Sequence, residues 1–521
     1  MNRRDFLISS AAAAGWWSGA AALPAWAAAA RNGVLNIAVQ PEPPGLMLGI
    51  IQNGPTQMIG GQMYEGLLRY DDKLEPMPGL ATSWTVNDTA TVYTFKLKEG
   101  VLWHDGKPFN AHDVVFSVDQ FLRKTHARLR AGLAFVDSIK ALDDHTVEFR
   151  LPRPFGPFLG LFEVGTMPMV PRHIYEGTDF LNNPANNTPI GTGPYKFKEW
   201  HRGSYIQLVR NEQYHEAGLP SVDTLYFHVI PDAASRSAAF ESGKLDVLPG
   251  GTVEYFDIAR LKALPNVEIT TKGWEFFGPH SFMWLNNRHP VLADVRVRRA
   301  IMYALDREAM RNVAWYGFGK VATGPFNSTV RYHTDEVTRY PRDVARAKQL
   351  LKEAGYKGQT LRLLPLPYGE TWQRFAEIAR QNLAEAGIKL EMTATDVAGW
   401  SEKTANWDYD IAFCYLYQYG DAALGVARNY LTSTIAKGSP WNNVEGYSNP
   451  KVDDLFERGS READPEARKR LYEEAQRILV DDVPVAWLLE LQFPTLYRNN
   501  IKNLINSGIG LNDSLARATL A

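Results

Sequence analysis

The chain has 521 residues, of which 45% are hydrophobic and 22% charged, and its 56 basic against 58 acidic side chains leave a formal charge of -2. That length exceeds what one core supports, so two or three domains are expected, and the balanced charge offers no basic face for nucleic acid. Beyond residues 1–30 no apolar run reaches the roughly eighteen residues that a bilayer-spanning helix needs.

The N-terminus reads Arg3-Arg4-Asp5-Phe6-Leu7, continues in Ala, Gly and Trp, and reaches Ala25-Trp26-Ala27. A charged start, an apolar middle and a small-x-small cleavage signal are the pattern of an export peptide, here residues 1–30. The paired arginines resemble the twin-arginine signal, with Asn2 where serine is usual, and imply the twin-arginine export machinery as a partner. Cleavage is expected after Ala27 or one of the alanines just after it. No cysteine stands at that junction, so the expected product is free in the periplasm with no lipid anchor. The one cysteine, Cys414, sits in an apolar strand-like run; it can form no intrachain disulfide and reads as a buried small apolar residue rather than a nucleophile.

Gly33–Val39 alternates as a strand, and Gln40–Pro44, rich in proline, must be a loop. Tyr93, Phe95 and Leu97 alternate with polar neighbours, as do Val147, Phe149 and Leu151 before Pro152 stops the run. Asp105-Gly106 makes a turn, and Asn110 N-caps a helix. This portion reads as antiparallel sheet with attached helices. After about residue 280 the rhythm changes. Helices are expected over Asp294–Met310, over Asp343–Ala354 with Gly355 as a left-handed cap, and over Thr371–Ala386 closed by Gly387. Strands Leu361–Leu364, Ile388–Thr393 and Tyr409–Tyr417 surround the third helix, a crossover unit that predicts a largely parallel sheet. Asp464–Val480 is a further helix, and the tail from Ile501 has weak strand character. No internal repeat is present.

Several segments, in order, carry a resemblance. Tyr64-Glu65-Gly66-Leu67-Leu68 with Pro76 and Leu80-Ala81 to Trp84, then Trp103 to Phe109 with Asp113-Val114, then Gly191-Thr192-Gly193-Pro194-Tyr195 resemble blocks of one family. Asp294 to Ala300 with Ala304 to Arg307, Ala347 to Tyr356, and Tyr447 to Asp453 continue them. These blocks resemble the extracellular solute-binding proteins of the peptide/opine/nickel ABC-transporter family, family 5, of the dipeptide/oligopeptide-binding type. The resemblance spans about residues 35–490. It implies an α/β, two-lobed periplasmic-binding-protein fold (type II, cluster C) with an extra subdomain inserted in the first lobe. The first lobe would comprise 31–64, 190–280 and 486–521, the inserted subdomain 65–189, and the second lobe 281–485. The implied function is capture of a di- or oligopeptide by cleft closure and delivery to an ABC permease with its ATPase subunits, by a monomer without cofactor. An opine, a glycan or another amine-bearing solute is the alternative cargo.

In an α/β lobe ligands gather at the carboxyl ends of strands, which directs attention to Tyr415 to Asp421. Tyr417 and Tyr419 frame Asp421, and a carboxylate among tyrosines suits a cationic amine. In peptide-binding relatives an Asp in a Gly-Asp-Pro or Pro-Asp-Pro segment holds the peptide amine, but Ala422 replaces that proline here. Asp421 is therefore either an amine anchor or the cap of a helix over Ala422–Tyr430. Arg428 and Arg374 are candidates for a ligand carboxylate, or members of solvated helix faces. Glu42 either reaches the cleft or serves its turn. Trp400, Trp407 and Trp441 either line the pocket or belong to the core.

An exported hydrolase is the rival from another class. The chain has no Gly-x-Ser-x-Gly elbow, no His-Glu-x-x-His and no Ser-x-x-Lys with its companions. His104-Asp105 and His112-Asp113 are the one tempting metal spacing; both read as structural, and no metal is expected.

Overall fold

The computed structural model describes residues 33–521. The expected export peptide over residues 1–30, with the paired arginines and the expected cleavage site, lies outside the described residues.

Two large sheets organise the chain. The first has seven strands in the order Val267–Thr270, Thr495–Arg498, Val247–Leu248, Val34–Val39, Thr224–Val229, Tyr205–Arg210 and Tyr195–His201. Its central strand Val34–Val39 runs parallel to both neighbours, and Leu35, Ile37, Ala38 and Val39 are fully buried. A separate four-stranded antiparallel sheet, Ala81–Val86, Val92–Leu97, Thr146–Arg150 and Ser138–Asp143, is inserted between the first and second strands of that sheet in sequence. Tyr93, Phe95 and Leu97 point to its core side, as alternation requires. The Asn110 side chain accepts from His112 N at 2.9 Å, while Asp113 reaches back to Asn110 N at 3.1 Å, forming a capping box.

The second sheet has six strands in the order Lys320–Val321, Val485–Glu490, His280–Leu285, Ile411–Leu416, Leu361–Leu364 and Leu390–Met392. The expected crossover is present: Leu361–Leu364 pairs in parallel with Leu390–Met392 and with Ile411–Leu416, and helix Glu370–Ala386 makes the return. The sheet as a whole is not largely parallel. His280–Leu285 runs antiparallel to both its neighbours, and Lys320–Val321 is antiparallel to Val485–Glu490. The physical reason is that His280–Leu285 brings the chain in from the first sheet and Val485–Glu490 takes it back, so the two must oppose each other. Both strands are buried at all six positions; with no polar face they show no alternation and give no strand signal.

Two helices differ from expectation. Asp294–Met310 is split into Val295–Ala304 and Arg307–Ala314, because Asp306 accepts from Ala309 N at 2.9 Å and starts a new helix. Ala422–Tyr430 is a π turn, Ala422–Val426, followed by a 3-10 turn, Ala427–Asn429. The helix begun at Asp464 continues to Asp482 and ends at Val483 in the left-handed region.

Segments 271–279 and 491–494 cross between the two sheets side by side. Trp274 Nε1 donates to Phe493 O at 3.0 Å, and Leu491 N donates to Pro279 O at 2.8 Å. This paired crossing joins two lobes.

Candidate functional site

Strand Ile411–Leu416 ends at the seam between the lobes. Trp284 pairs with Ala412 across the ladder, so the residues of even number share one face and Phe413 and Tyr415 take the other. Tyr419 (φ +53) and Gly420 (φ +69) then turn the chain through the left-handed region. A tyrosine there is uncommon, and such strain concentrates at functional positions.

Aromatic rings from the second lobe and both crossing segments converge on this strand end. Tyr415 stacks on Trp372 at 5.4 Å and 18° and meets Phe493 at 5.8 Å and Tyr368 at 6.3 Å. Tyr417 lies 6.3 Å from Trp274 at 27° and 5.2 Å from Phe277. Tyr419 meets Phe276 at 5.8 Å. Burial pushes the phenols of Tyr415 and Tyr417 above their usual range, so they stay neutral and able to donate. Such a wall accepts varied side chains through face and edge contacts.

Charge enters from each side. Arg428 Nε donates to Gly425 O and Nη2 to Tyr417 O, both at 3.3 Å, and the guanidinium lies 5.8 Å from the Tyr419 ring centre. Burial lowers its pKa; Tyr419 opposes that shift and Arg128 adds to it. Arg128, from helix Ala127–Leu133 of the inserted portion, lies 4.1 Å over the same ring. Its Nη2 donates to Thr166 Oγ1 at 2.6 Å and stands 3.6 Å from Glu163 Oε1. Glu163 is buried, accepts from Gly165 N at 2.6 Å, and burial raises its pKa against the pull of Arg128. At the far end of the seam, Thr371 Oγ1 donates to Glu254 Oε2 at 3.3 Å. Helix Glu370–Ala386 starts there from Gly369, which has no capping side chain, so Glu254 of the other lobe supplies an anion at the positive end of the helix dipole.

Of the residues singled out in the sequence, the fold brings Tyr417, Tyr419 and Arg428 together. Asp421 adjoins them, but its carboxylate is engaged. Its oxygens accept from Arg468 Nη1 at 2.7 Å and Nη2 at 2.8 Å, and Oδ1 also accepts from Ala423 N at 2.9 Å. The capping reading is the one the geometry displays, and Arg468, distant in sequence on helix Pro465–Asp482, occupies the place expected for an amine.

The remaining candidates lie elsewhere. Glu42 Oε1 accepts from Trp200 Nε1 at 2.9 Å and Gly203 N at 3.0 Å, which ties its loop to the edge of the first sheet. Arg374 turns away from the aromatic wall and donates to Tyr316 Oη at 2.8 Å. Trp400 is fully buried and stacks 5.7 Å from Trp284, on the sheet face opposite Tyr415. Trp441 leans on Trp400 at 5.7 Å, and Trp407 lies under the Arg288 guanidinium at 3.7 Å. Trp400, on helix Val397–Ala405, belongs to the packing of that other face, with half-buried Trp407 and exposed Trp441 at its margin.

Sequence reasoning missed Trp274, Phe276, Phe277, Phe493, Trp372, Arg128 and Glu163. The run Trp274-Glu275-Phe276-Phe277 between two strands was a usable signal, since aromatics in a connection need a place to bury. Cys414 is buried, as expected. His104 is held by Gly193 O at 3.0 Å and Gly191 N at 3.2 Å, and burial lowers its pKa to about 4. Among the described residues no group of three or more His, Cys, Asp or Glu could hold a metal ion, and no helix is long and apolar enough to cross a membrane.

Residues 75–438 match the family described as "Bacterial extracellular solute-binding proteins, family 5 Middle". The chain is 27% identical over 446 residues to the glutathione-binding protein GsiB of Pectobacterium atrosepticum, covering 83% of this chain and 84% of that one. Its fold matches the crystal structure of the ABC transporter substrate binding protein CtaP from Listeria monocytogenes with a TM-score of 0.84 and 28% identity, over 94% of this chain and 99% of that one. It also matches the periplasmic binding protein DppA from Helicobacter pylori in complex with the peptide STSA, with a TM-score of 0.82, 24% identity and coverage of 94% and 98%. The chain belongs to family 5 of the bacterial extracellular solute-binding proteins, the solute-binding components of ABC importers.

Proposed function

We propose that this protein is a periplasmic carrier of short peptides or peptide-like amphiphiles, which it encloses between its lobes and hands to an ABC permease. The observation that carries the reading is the wall of Trp274, Phe277, Trp372, Tyr415, Tyr417 and Phe493. It draws on the second lobe and on both crossing segments, so lobe movement assembles and disassembles it. Ligand bound to the closed form shifts an open–closed equilibrium that a permease can read. Two relatives support the cargo class: one is named for glutathione, a tripeptide derivative, and another was solved with a peptide. The export peptide of residues 1–30 supports periplasmic delivery by the twin-arginine route, and the protein acts as a monomer.

The test is native mass spectrometry of the purified mature protein with denaturing release of whatever it retains, since bound ligand stabilises the fold and survives purification. A ladder of di- to pentapeptides, unchanged in mass after incubation, supports a peptide carrier. A single opine or glycan overturns the cargo and keeps the carrier role, and a hydrolysed product overturns both.

A further inference from the structure

The two crossing segments bound a cavity of about 90 Å³. Trp274 and Glu275 of one segment, Gln492 of the other, and Lys320, Ser328 and Glu490 of the second lobe line it. Glu490 pairs with His280 and Lys320 across the sheet, and His280 pairs with Leu416, so the Glu490 side chain leaves the second sheet on the face opposite Tyr415. The cavity is therefore separate from the aromatic wall, with Trp274 shared between them. Glu490 is 7% exposed. Its Oε2 accepts from Ser328 Oγ at 2.5 Å, and Ser328 Oγ accepts from Lys320 Nζ at 3.1 Å. Among the described residues Glu490 Oε1 has no hydrogen-bond partner, which leaves that oxygen to the cavity. Glu275 Oε2 accepts from Gly273 N at 2.8 Å, and its Oε1 is likewise without a partner among the described residues. Two carboxylates against one ammonium leave one negative charge in excess around the cavity. A buried carboxylate oxygen without a donor is costly; water supplies a donor there but no opposite charge.

We propose that this cavity is a second binding site, for a small organic cation with several N–H donors such as a guanidinium or primary ammonium group, and that its occupant favours the arrangement in which the lobes touch. The volume equals that of about three waters, which suits a group of that size. The free oxygens of Glu490 and Glu275 offer it charge-assisted acceptors. Among the described residues no third His, Cys, Asp or Glu joins them, and a hard divalent cation asks for more oxygen ligands than two carboxylates supply. The coupling follows from position. Crossing segments bend when lobes move, and here both are tied to the second lobe beside the cavity: Gly319 N donates to Gln492 Oε1 at 3.1 Å, and Asn327 Nδ2 donates to Pro279 O at 3.2 Å. The lobes meet in this structure through Thr371 and Glu254 and through Arg128 over Tyr419. A cation between Glu275 and Glu490 adds a tie from crossing segment to lobe, and a ligand shifts an equilibrium by its differential affinity for the two states. The effect on cargo rests on the carrier reading above; the site itself does not.

The test uses the full mature protein with methylguanidinium chloride at millimolar concentration, and with tetramethylammonium chloride as a cation of equal charge that has no N–H donor. Titration calorimetry reads the affinity and a crystal structure reads the place. Methylguanidinium should occupy the cavity, and tetramethylammonium should bind about tenfold more weakly or worse, the loss expected when hydrogen bonds to a charged group are not made. Glu490→Gln, which keeps the bond from Ser328, and Glu275→Gln should each weaken methylguanidinium binding by about the same factor. Retention of a mixed tripeptide library, read by native mass spectrometry, should rise with methylguanidinium present by the factor by which the peptides tighten methylguanidinium, and the rise should vanish in Glu490→Gln. Equal binding of the two cations, or methylguanidinium seated elsewhere, overturns the site. Methylguanidinium in the cavity with unchanged peptide retention overturns the coupling. Retention of no tripeptide overturns the peptide reading, while calorimetry and the crystal still decide the site. Should Glu490→Gln fail to fold, Glu275→Gln and the comparison of the two cations on the wild-type protein decide the matter.

Discussion

Replacing Asp421 by alanine separates a structural role from a ligand-binding one. Asp421 is 7% exposed and Arg468 is 4% exposed, and the two share a bidentate pair at 2.7 and 2.8 Å. The substitution leaves Arg468 buried with Gly459 O at 2.7 Å and a long contact to Tyr472 Oη at 3.4 Å. Removing one partner of a buried pair costs about 3–5 kcal/mol, and loss of the cap on Ala423 N adds ~1 kcal/mol. In a lobe of about 200 residues each kcal/mol moves Tm by ~2–4 °C, so Asp421→Ala should lower the melting temperature of the second lobe by roughly 10 °C or more. Urea unfolding followed by tryptophan fluorescence reads the loss as a lower midpoint with an unchanged slope. The double variant Asp421→Leu with Arg468→Met should recover most of it, because matched apolar groups remove both desolvation penalties. If Asp421→Ala stays within about 1 kcal/mol of the wild type and instead abolishes capture of free-amine peptides while sparing N-acetylated ones, the reasoning fails and Asp421 is an amine anchor.

Glu445 is fully buried with neither carboxyl oxygen hydrogen-bonded, and burial raises its pKa well above 4.5 against the pull of Arg288. A raised folded-state pKa contributes stability that is fully present below the unfolded value and is lost as pH rises through the folded value; Glu445→Gln should therefore flatten the fall of Tm as pH rises above the ordinary carboxylate range, and parallel curves for the two proteins would count against it. Glu254→Ala removes the inter-lobe anion from the start of helix Glu370–Ala386, a contribution of ~0.5–1 kcal/mol; ligand dissociation should speed about two- to fivefold, with unchanged rates contradicting a latch. Tyr417→Ala opens the wall between Trp274 and Phe277 and should weaken ligand binding by ~2 kcal/mol, about thirtyfold, with little change in Tm; a binding curve like that of the wild type would place the ligand elsewhere.

What the sequence reveals and what it hides divides along a physical line. Caps and periodic stripes are local, so Asn110, Asp343, Gly355 and Gly387 mark helix ends that the fold reproduces. The motif blocks likewise point to the two-lobed architecture. Strands buried on both faces carry no alternation, so His280–Leu285 and Val485–Glu490 went unread, and with them the antiparallel centre of the second sheet. A tryptophan's chemistry suits a pocket wall and a core equally, and strand parity decides between them: Trp284 shares its face with Ala412 and takes Trp400 to the side opposite Tyr415.

The seam is the hardest part to read because each of its members is locally unremarkable. Arg128 sits on a short helix, Glu163 in a loop and Arg428 on a 3-10 turn, and no spacing rule links positions so far apart. Asp421 shows the converse. Its neighbours suggested ligand chemistry, yet Arg468 neutralises it in the same lobe, and a charge already paired gains little from a ligand. Arg428 is the residue left in electrostatic deficit at the lobe junction. The Tyr419 ring and the carbonyls of Gly425 and Tyr417 stabilise that charge in part, and in a protein that must close on its cargo and release it again, an incompletely satisfied group is a better place to look for the ligand than the best-bonded one.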